Sequence, residues 1–230
     1  MKDSDSNFEK LSKALVLVIV LFCFVGFVGG VGIVKVGKSI PFFFGFLSLL
    51  VVLAFWLKKL LEEIFYRIDG LKGEYKVSTI LKEMWPDGVR SVDDIVLSKG
   101  HGNIDHVAVA RTGVWVIETK HISGTISLLD RVLARDGKVF SKNFLQQAFA
   151  EGKAVREYLL ANGVENVPIR PMLVFSAFSK VRFGQRPVAG VFVISSLGVR
   201  KLIMDSKYDV ALSAKEIEKI TGLLREYQQS

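Results

Sequence analysis

Cysteine is almost absent from this chain: Cys23 is the only one among 230 residues, so a framework of disulfides is excluded. The Gly-x-x-x-x-Gly-Lys-Ser/Thr loop that cradles nucleotide phosphates is missing, which argues against nucleotide hydrolysis. Internal repeats and low-complexity tracts are missing too, which excludes solenoid and disordered classes. Neither a dense basic run nor a ladder of stacking aromatics is present. The chemistry must therefore come from a few side chains in a folded domain.

Charge is missing from two long stretches near the amino terminus. Residues 14–34 contain no charged side chain, and as a helix they would span about 31 Å, which matches the hydrocarbon core of a bilayer. A second uncharged stretch covers residues 41–57. The length of the first run and the presence of the second argue against a cleaved signal peptide, and buried soluble helices rarely lack a charged face. The pair predicts a membrane hairpin of two transmembrane helices.

Basic residues around these stretches predict the orientation of the hairpin. Six flank its outer ends and two lie in its link: Lys2, Lys10, Lys13, Lys58, Lys59 and Arg67 against Lys35 and Lys38. Because basic residues accumulate on the cytoplasmic side, both termini should lie in the cytoplasm. We therefore expect a two-pass protein of the cell membrane, with the tail and hairpin in residues 1–61, a linker in residues 62–69 and a cytoplasmic domain in residues 70–230.

The most informative pattern is a β-hairpin signal in the middle of the chain. Residues 103–110 and 114–120 are rich in β-branched side chains that alternate along the chain. Gly113 ends the short loop between them and should adopt a positive φ. This loop length predicts that Val109 lies opposite Val114.

In the same register, Asp105 would lie opposite Glu118. Opposed carboxylates have Cβ atoms roughly 5 Å apart and repel each other, so they normally need a compensating cation, and a hard divalent ion suits them best. Lys120 shares the face of Glu118, because side chains two residues apart on a strand point the same way. The pattern predicts a charged site at the end of a sheet with two apolar faces. A surface ion pair worth under about 1 kcal/mol is the simpler alternative.

These residues resemble the nuclease-related domain, called NERD, a branch of the restriction-endonuclease-like PD-(D/E)XK fold. The motif of that fold is an Asp followed later by Asp/Glu-x-Lys, and Asp105 with Glu118-Thr119-Lys120 is similar to it. The resemblance extends upstream to Gly-Leu-Lys-Gly-Glu at residues 70–74, and downstream to Asn-Phe-Leu-Gln at residues 143–146. It covers the chain from residue 70 to at least residue 194.

The resemblance implies an α/β fold in which helices flank a mixed central sheet. It implies that Asp105 and Glu118 hold Mg²⁺, with Mn²⁺ as a substitute, and that Lys120 positions or deprotonates the attacking water. Glu74 and Gln146 would support the site from flanking helices. The implied activity is phosphodiester hydrolysis of nucleic acid at the membrane, with DNA favoured over RNA.

Three alternatives stay open. A module that kept the nuclease fold without catalysis would hold nucleic acid or a protein partner at the bilayer. The soluble part could instead only stabilise the membrane spans. Zinc is suggested by His106 and His121, but His106 should point to the other face of the sheet and no cysteine completes a zinc set.

Residues 58–230 contain 26 basic and 20 acidic residues, a net +6 that suits nucleic acid and anionic lipid equally.

Further elements should complete the domain. Apolar periodicity predicts helices over residues 71–85 and 143–161 and from residue 213 onward, with Glu74 and Gln146 each in the first turn of its helix. Strands are expected at residues 91–98, 124–129, 138–141, 168–178 and 188–195. The last two are continuous apolar runs, which are typical of strands buried on both faces.

Overall fold

The structure is a computed structural model that describes residues 40–96, 103–182 and 186–229. The chain divides into two units, residues 1–68 and residues 69–230. The first predicted span, residues 14–34, lies outside the described residues, as do the side chains of residues 41–46 in the second. In the part of the chain that is described, none of the helices has the length and apolar character needed to cross a membrane.

The first helix of the described residues, α1, spans Ile40–Glu83. Residues 62–69, which were expected to be a linker, are therefore helical, and Glu74 lies well inside the helix rather than in its first turn. Side chains one turn apart form exposed ion pairs, such as Glu63 with Arg67 at 2.9 Å. The sequence predicts the two ends of this helix separately, as the uncharged span over residues 41–57 and the periodic helix over residues 71–85. Exposed ion pairs one turn apart support the turns between them. Gly88, with φ 86°, closes the short 3₁₀ turn Trp85–Asp87 that follows α1.

The described residues form nine strands: β1 Arg90–Val96, β2 Asn103–Ala110, β3 Gly113–Lys120, β4 Gly124–Leu129, β5 Val132–Arg135, β6 Lys138–Val139, β7 Ile169–Phe175, β8 Ser179–Val181 and β9 Phe192–Ser195. Five of them build a central sheet in the order β1-β2-β3-β7-β9. Its first three strands are antiparallel, whereas β3, β7 and β9 run parallel. The other four form a smaller sheet in the order β6-β5-β4-β8.

Three further helices complete the domain: α2 Phe144–Ala161, α3 Val199–Ile203 and α4 Ala214–Gln229. Two of them begin at side-chain caps. Asn143 Oδ1 accepts the backbone N–H of Gln146 at 3.1 Å, and Ser213 exchanges hydrogen bonds with Glu216 in a capping box. The short elements β5, β8 and α3 were not expected, because segments of three to five residues carry too little periodicity to be recognised.

The hairpin prediction is confirmed in its register. Val109 lies opposite Val114, and Gly113 has φ 113°. Apolar clusters cover both faces of the sheet, as expected. One contains side chains of α1 and α3, and the other contains side chains of α2 and α4. Burial on both faces leaves the polar end of the hairpin as the part of the sheet that can carry chemistry.

Gly73 allows α1 to lie close to the ends of β3 and β7. A Cβ at this position would meet Ser176 Oγ at 2.5 Å and His121 Cβ at 2.9 Å, whereas a Cβ at Gly70 would meet nothing within 4 Å. We expect Gly73→Ala to lower the free energy of unfolding by about 1–3 kcal/mol through overpacking. Gly70→Ala should raise it by about 0.5–1 kcal/mol, because alanine favours the helix. Urea unfolding of the two variants measures both changes, and equal effects would contradict this packing argument.

Candidate active site at the carboxyl end of the central strands

The predicted acids meet at one end of the central sheet. The ladder between β2 and β3 runs to the pair His106 and Ile117, so the next position places Asp105 beside Glu118. Regular backbone pairing gives way there to a side-chain contact, in which Asp105 Oδ2 accepts the backbone N–H of Thr119 at 2.6 Å. Because β2 is antiparallel to β3, the beginning of β2 lies at the carboxyl end of β3.

Glu118 is the centre of the cluster. Its side chain is 3% exposed, and its Oε1 accepts a hydrogen bond from the ammonium of Lys120 in a close ion pair. The same oxygen accepts a hydrogen bond from Gln147 Nε2 at 2.7 Å. Glu118 Oε2 is buried and has no hydrogen-bond partner. The carboxylate is therefore held by one oxygen while the other is available to a cation.

The glutamine in the site is Gln147 and not Gln146. Both glutamines are exposed residues, and the backbone N–H of Gln146 belongs to the cap of α2. Gln147 Nε2 bridges Glu118 and Glu151 Oε1, the second contact being 3.0 Å long. The expectation that Gln146 points into the site is thus corrected by one residue, which on a helix is a rotation of about 100°.

Glu151 was not singled out from the sequence, although it lies four residues after Gln147 on the same face of α2. It is buried, and its Oε2 lacks a hydrogen-bond partner. Gly152 lets this part of α2 approach the sheet, since a Cβ there would meet Pro171 Cγ at 2.5 Å. An acid one turn after a glutamine and directly before a glycine is the sequence signal that could have identified it.

The clustering of carboxyls changes their proton affinity. Burial, and next the charge of Glu118, raise the pKa of Asp105 to about 8. The same two causes, in the same order, raise the pKa of Glu151 to about 9. Without a cation, the group therefore retains protons that isolated carboxyls would have lost near neutral pH.

Glu74 contributes to this cluster from α1. It is partly buried, and burial raises the pKa of its carboxyl. Nearby charges act more weakly on this pKa: those of His106 and Lys120 lower it, and those of Asp94 and Glu118 raise it. The side chain predicted to support the site thus lies within electrostatic range of it.

His106 belongs to a separate group. Its Nδ1 lies 2.8 Å from Asp93 Oδ1, and Ser78 Oγ donates to Asp93 Oδ2 at 2.6 Å. Burial would raise the pKa of Asp93, but these hydrogen bonds prevail and lower it to about 2. His121 is engaged elsewhere, with its Nδ1 3.1 Å from Ser176 Oγ.

The donor set suits a hard cation that keeps most of its own ligands. Among the described residues, no three His, Cys, Asp or Glu side chains are placed to hold one metal ion. Mg²⁺ is usually bound by one or two carboxylates together with water and substrate phosphate oxygens. Asp105 and Glu118 match that requirement, because both are oxygen donors in a buried anionic cluster and Glu118 Oε2 lacks a partner.

Neighbouring glutamines provide a matched test of this geometry. Gln147→Ala removes a hydrogen-bond donor from Glu118 and Glu151, and should lower turnover of the proposed reaction by about 10-fold, the effect of about 1.4 kcal/mol. Gln146→Ala removes an exposed side chain from the same turn of the helix, so its turnover should stay within about twofold of the unmodified protein. Steady-state cleavage rates compare the two variants, and a larger effect at Gln146 would contradict the assignment.

A comparison with protein families finds a match in the part of the chain that contains this site. Residues 69–176 match the model of NERD, the nuclease-related domain. This range contains Glu74, Asp105, Glu118, Lys120 and Gln147, and it begins at the boundary between the two units. No curated protein and no solved structure matched the chain. The chain therefore contains a nuclease-related domain over residues 69–176.

Proposed function

We propose that this protein is a metal-dependent nuclease that hydrolyses phosphodiester bonds of DNA or RNA, with DNA as the favoured substrate. The observation that carries the proposal is the meeting of Asp105 and Glu118 with the ammonium of Lys120 on Glu118. The nuclease-related domain over residues 69–176 supports it. We also propose the restriction-endonuclease-like fold, which the antiparallel and parallel halves of the central sheet support.

Asp105 and Glu118 would hold Mg²⁺, and Mn²⁺ would substitute for it. The bound ion would supply a water of lowered pKa and would neutralise charge that develops on the phosphate. Gln147 fixes Glu118 through Oε1, so that the free Oε2 is kept in one orientation. Glu74 and Glu151 surround the pair with further carboxylates, which makes a cation more favourable in the cluster.

Lys120 is suited to act on the substrate. Its side chain is 20% exposed, whereas that of its partner Glu118 is 3% exposed, so the ammonium lies at the open side of the cluster. The ring of Phe144 lies 5.1 Å from its Nζ and limits where the ammonium can move. From this position Lys120 would orient the attacking water or stabilise a phosphate oxygen in the transition state.

Membrane attachment is a further part of the proposal. It rests on the uncharged residues 14–34 and 41–57 and on the basic residues at their outer ends. In this arrangement the nuclease-related domain would act in the cytoplasm, next to the bilayer.

The proposal is tested with the full chain in a neutral detergent. Labelled single-stranded and double-stranded DNA and RNA are incubated with Mg²⁺, with Mn²⁺ or with EDTA. We expect cleavage with either metal and none with EDTA. Calorimetric titration should detect binding of Mn²⁺ that Glu118→Gln abolishes, since this variant removes the charge and keeps the shape of the side chain.

Two outcomes would contradict the proposal. Cleavage that is equal for the unmodified protein and for Glu118→Gln would come from another site or another protein. Absence of both cleavage and Mn²⁺ binding, with nucleic acid still bound, would favour the alternative of a binding module without catalysis.

A further inference from the structure

The smaller sheet carries an unusual share of the positive charge. We define the basic arm as residues 124–142 and 176–182, which contain β4, β5, β6 and β8. Six exposed basic residues belong to it: Arg131, Arg135, Lys138, Lys142, Lys180 and Arg182. Its two acids are Asp130 and Asp136, and Asp136 Oδ1 accepts the backbone N–H of Thr125 at 2.7 Å. The arm therefore has a net charge of +4.

The rest of the domain is nearly neutral. Residues 69–230 contain 23 basic and 18 acidic residues, of which 17 basic and 16 acidic lie outside the basic arm. In addition, none of the ion pairs found within the described residues includes a basic side chain of the arm. These cations are thus available to an external anion.

The basic arm begins at the end of the sheet that holds the site. Lys120 at the end of β3 is paired with Phe175 at the end of β7. The arm strand β4 begins four residues after Lys120, and the arm strand β8 begins four residues after Phe175. Aromatic rings connect the site to the basic arm. The ring of Phe140, in the arm, lies 6.2 Å from that of Phe175 and 5.0 Å from that of Phe144. Phe144 is also the ring below the ammonium of Lys120. A chain of phosphates bound at the site would therefore pass close to the arm.

Phe178 adds an aromatic surface at this place. It is 94% exposed, although its backbone is ordered by the hydrogen bond that its carbonyl accepts from Gly124 N–H at 3.2 Å. Basic grooves combined with aromatic side chains are the usual means of binding single strands, because every base has a face on which a ring can stack. Bases within a duplex are already stacked on their neighbours, so such a ring selects an unpaired base.

We propose that the basic arm binds an unpaired strand of nucleic acid next to the site, with its exposed cations on the phosphates and Phe178 stacked on a base. This inference rests on the proposed nuclease function and narrows its substrate to single strands or unpaired segments. Phe178 lies beyond residue 176, where the match to the nuclease-related domain ends.

Binding without metal tests the arm independently of cleavage. The full chain in neutral detergent with EDTA is titrated into a labelled oligothymidine of about 15 nucleotides, and anisotropy gives the dissociation constant. The same measurement is made with a duplex and with an abasic oligonucleotide of equal length. We expect the oligothymidine to bind more tightly than either.

Substitutions of Phe178 isolate the stacking contact. Phe178→Ala should weaken binding of oligothymidine about tenfold, the usual effect of losing one stacked base. Phe178→Trp should keep the affinity, whereas Phe178→Leu should behave like the alanine variant because it is apolar without an aromatic face. None of the three should change binding of the abasic oligonucleotide.

Substitutions of the cations isolate the phosphate contacts. The combination Lys180→Ser and Arg182→Ser, two cations that lie two residues apart on one face of the smaller sheet, should reduce the slope of log affinity against log salt by about 1.4, because each phosphate contact on a single strand contributes about 0.7. The control combination Lys215→Ser and Lys219→Ser removes the same charge from exposed positions of α4, which packs on β1 and β2. Its slope should stay close to that of the unmodified protein.

Several results would overturn the inference: equal affinity for duplex and single strand, an unchanged affinity of Phe178→Ala, or the same slope in both charge combinations. If the protein binds oligothymidine as expected but cleaves nothing with metal, binding by the basic arm is supported and the nuclease function is contradicted. If cleavage is observed and all these variants bind nucleic acid normally, only the proposal that the basic arm binds a single strand is contradicted.

Discussion

Asp105→Asn should abolish cleavage and at the same time stabilise the metal-free protein at pH values near 8. Asparagine keeps an oxygen that can accept the backbone N–H of Thr119. It removes the charge that repels Glu118 and that would hold the cation. We expect the cleavage rate to fall by about 10³-fold or more, since a metal supplies several kcal/mol of transition-state stabilisation.

The gain in stability follows from the raised pKa of Asp105, which is about 8 in the folded protein against 3.8 for an ordinary aspartate. Because the folded state binds this proton more tightly, the contribution of the group to the free energy of unfolding is complete below the lower value. It is lost as the pH rises towards the higher one, by about 1.4 kcal/mol per pH unit for one proton. Glu151, with a pKa of about 9, acts in the same direction.

Urea unfolding in EDTA from about pH 5 to about pH 8 measures this dependence. Stability of the unmodified protein should fall across the range, and Asp105→Asn should make the fall less steep. Mg²⁺ should restore the stability of the unmodified protein at the upper end but not that of the variant. Asp87→Asn is the control, because Asp87 forms an exposed ion pair with Arg200 at 2.7 Å. A variant of Asp105 that cleaves at the normal rate would remove it from the mechanism.

Lys120→Met should lose cleavage and stability together. Methionine keeps most of the apolar stem, but it leaves Glu118, which is 2% exposed, without its ammonium partner. Removing one member of a buried ion pair is costly, and we expect a loss of about 2–4 kcal/mol in the free energy of unfolding. Cleavage should fall by about 10²–10³-fold, the usual effect of removing one group that stabilises transition-state charge.

A double variant separates the two effects. Lys120→Met combined with Glu118→Gln has neither charge, so much of the lost stability should return while cleavage stays absent. Lys153→Met is the control, since Lys153 lies on α2 in an exposed pair with Glu157. Recovery of cleavage in the double variant would show that Lys120 acts only by neutralising Glu118.

Much of the site could be predicted because its signals are local. The spacing of two β-branched runs around Gly113 sets the register of the hairpin, and the register brings Asp105 to Glu118. Alternation along a strand then places Lys120 beside Glu118. Helix caps at Asn143 and Ser213 are equally local, since donor and acceptor are three residues apart.

Other features depend on contacts between residues far apart in the chain. The rotation of α2 about its axis decides between Gln146 and Gln147, and it depends on the packing of the whole buried face of the helix, which includes Val155 and Leu159. In the sequence alone, Glu151 is not distinguished from other residues of the helix. The packing of α2 on the sheet buries it beside Glu118. The smaller sheet brings together cations from two separate segments, residues 131–142 and 180–182, which neither stretch of sequence reveals.

The amino-acid sequence by itself thus determined the pairing of β2 with β3 and the placement of Asp105, Glu118 and Lys120 on them. The reason is that period-two alternation and a short loop leave one register that buries both faces. Only the tertiary structure decided which helix side chains reach Glu118 and how its carboxylate neighbours share protons. The physical reason is that helix rotation and burial arise from packing across the whole domain, and burial sets the cost of each charge.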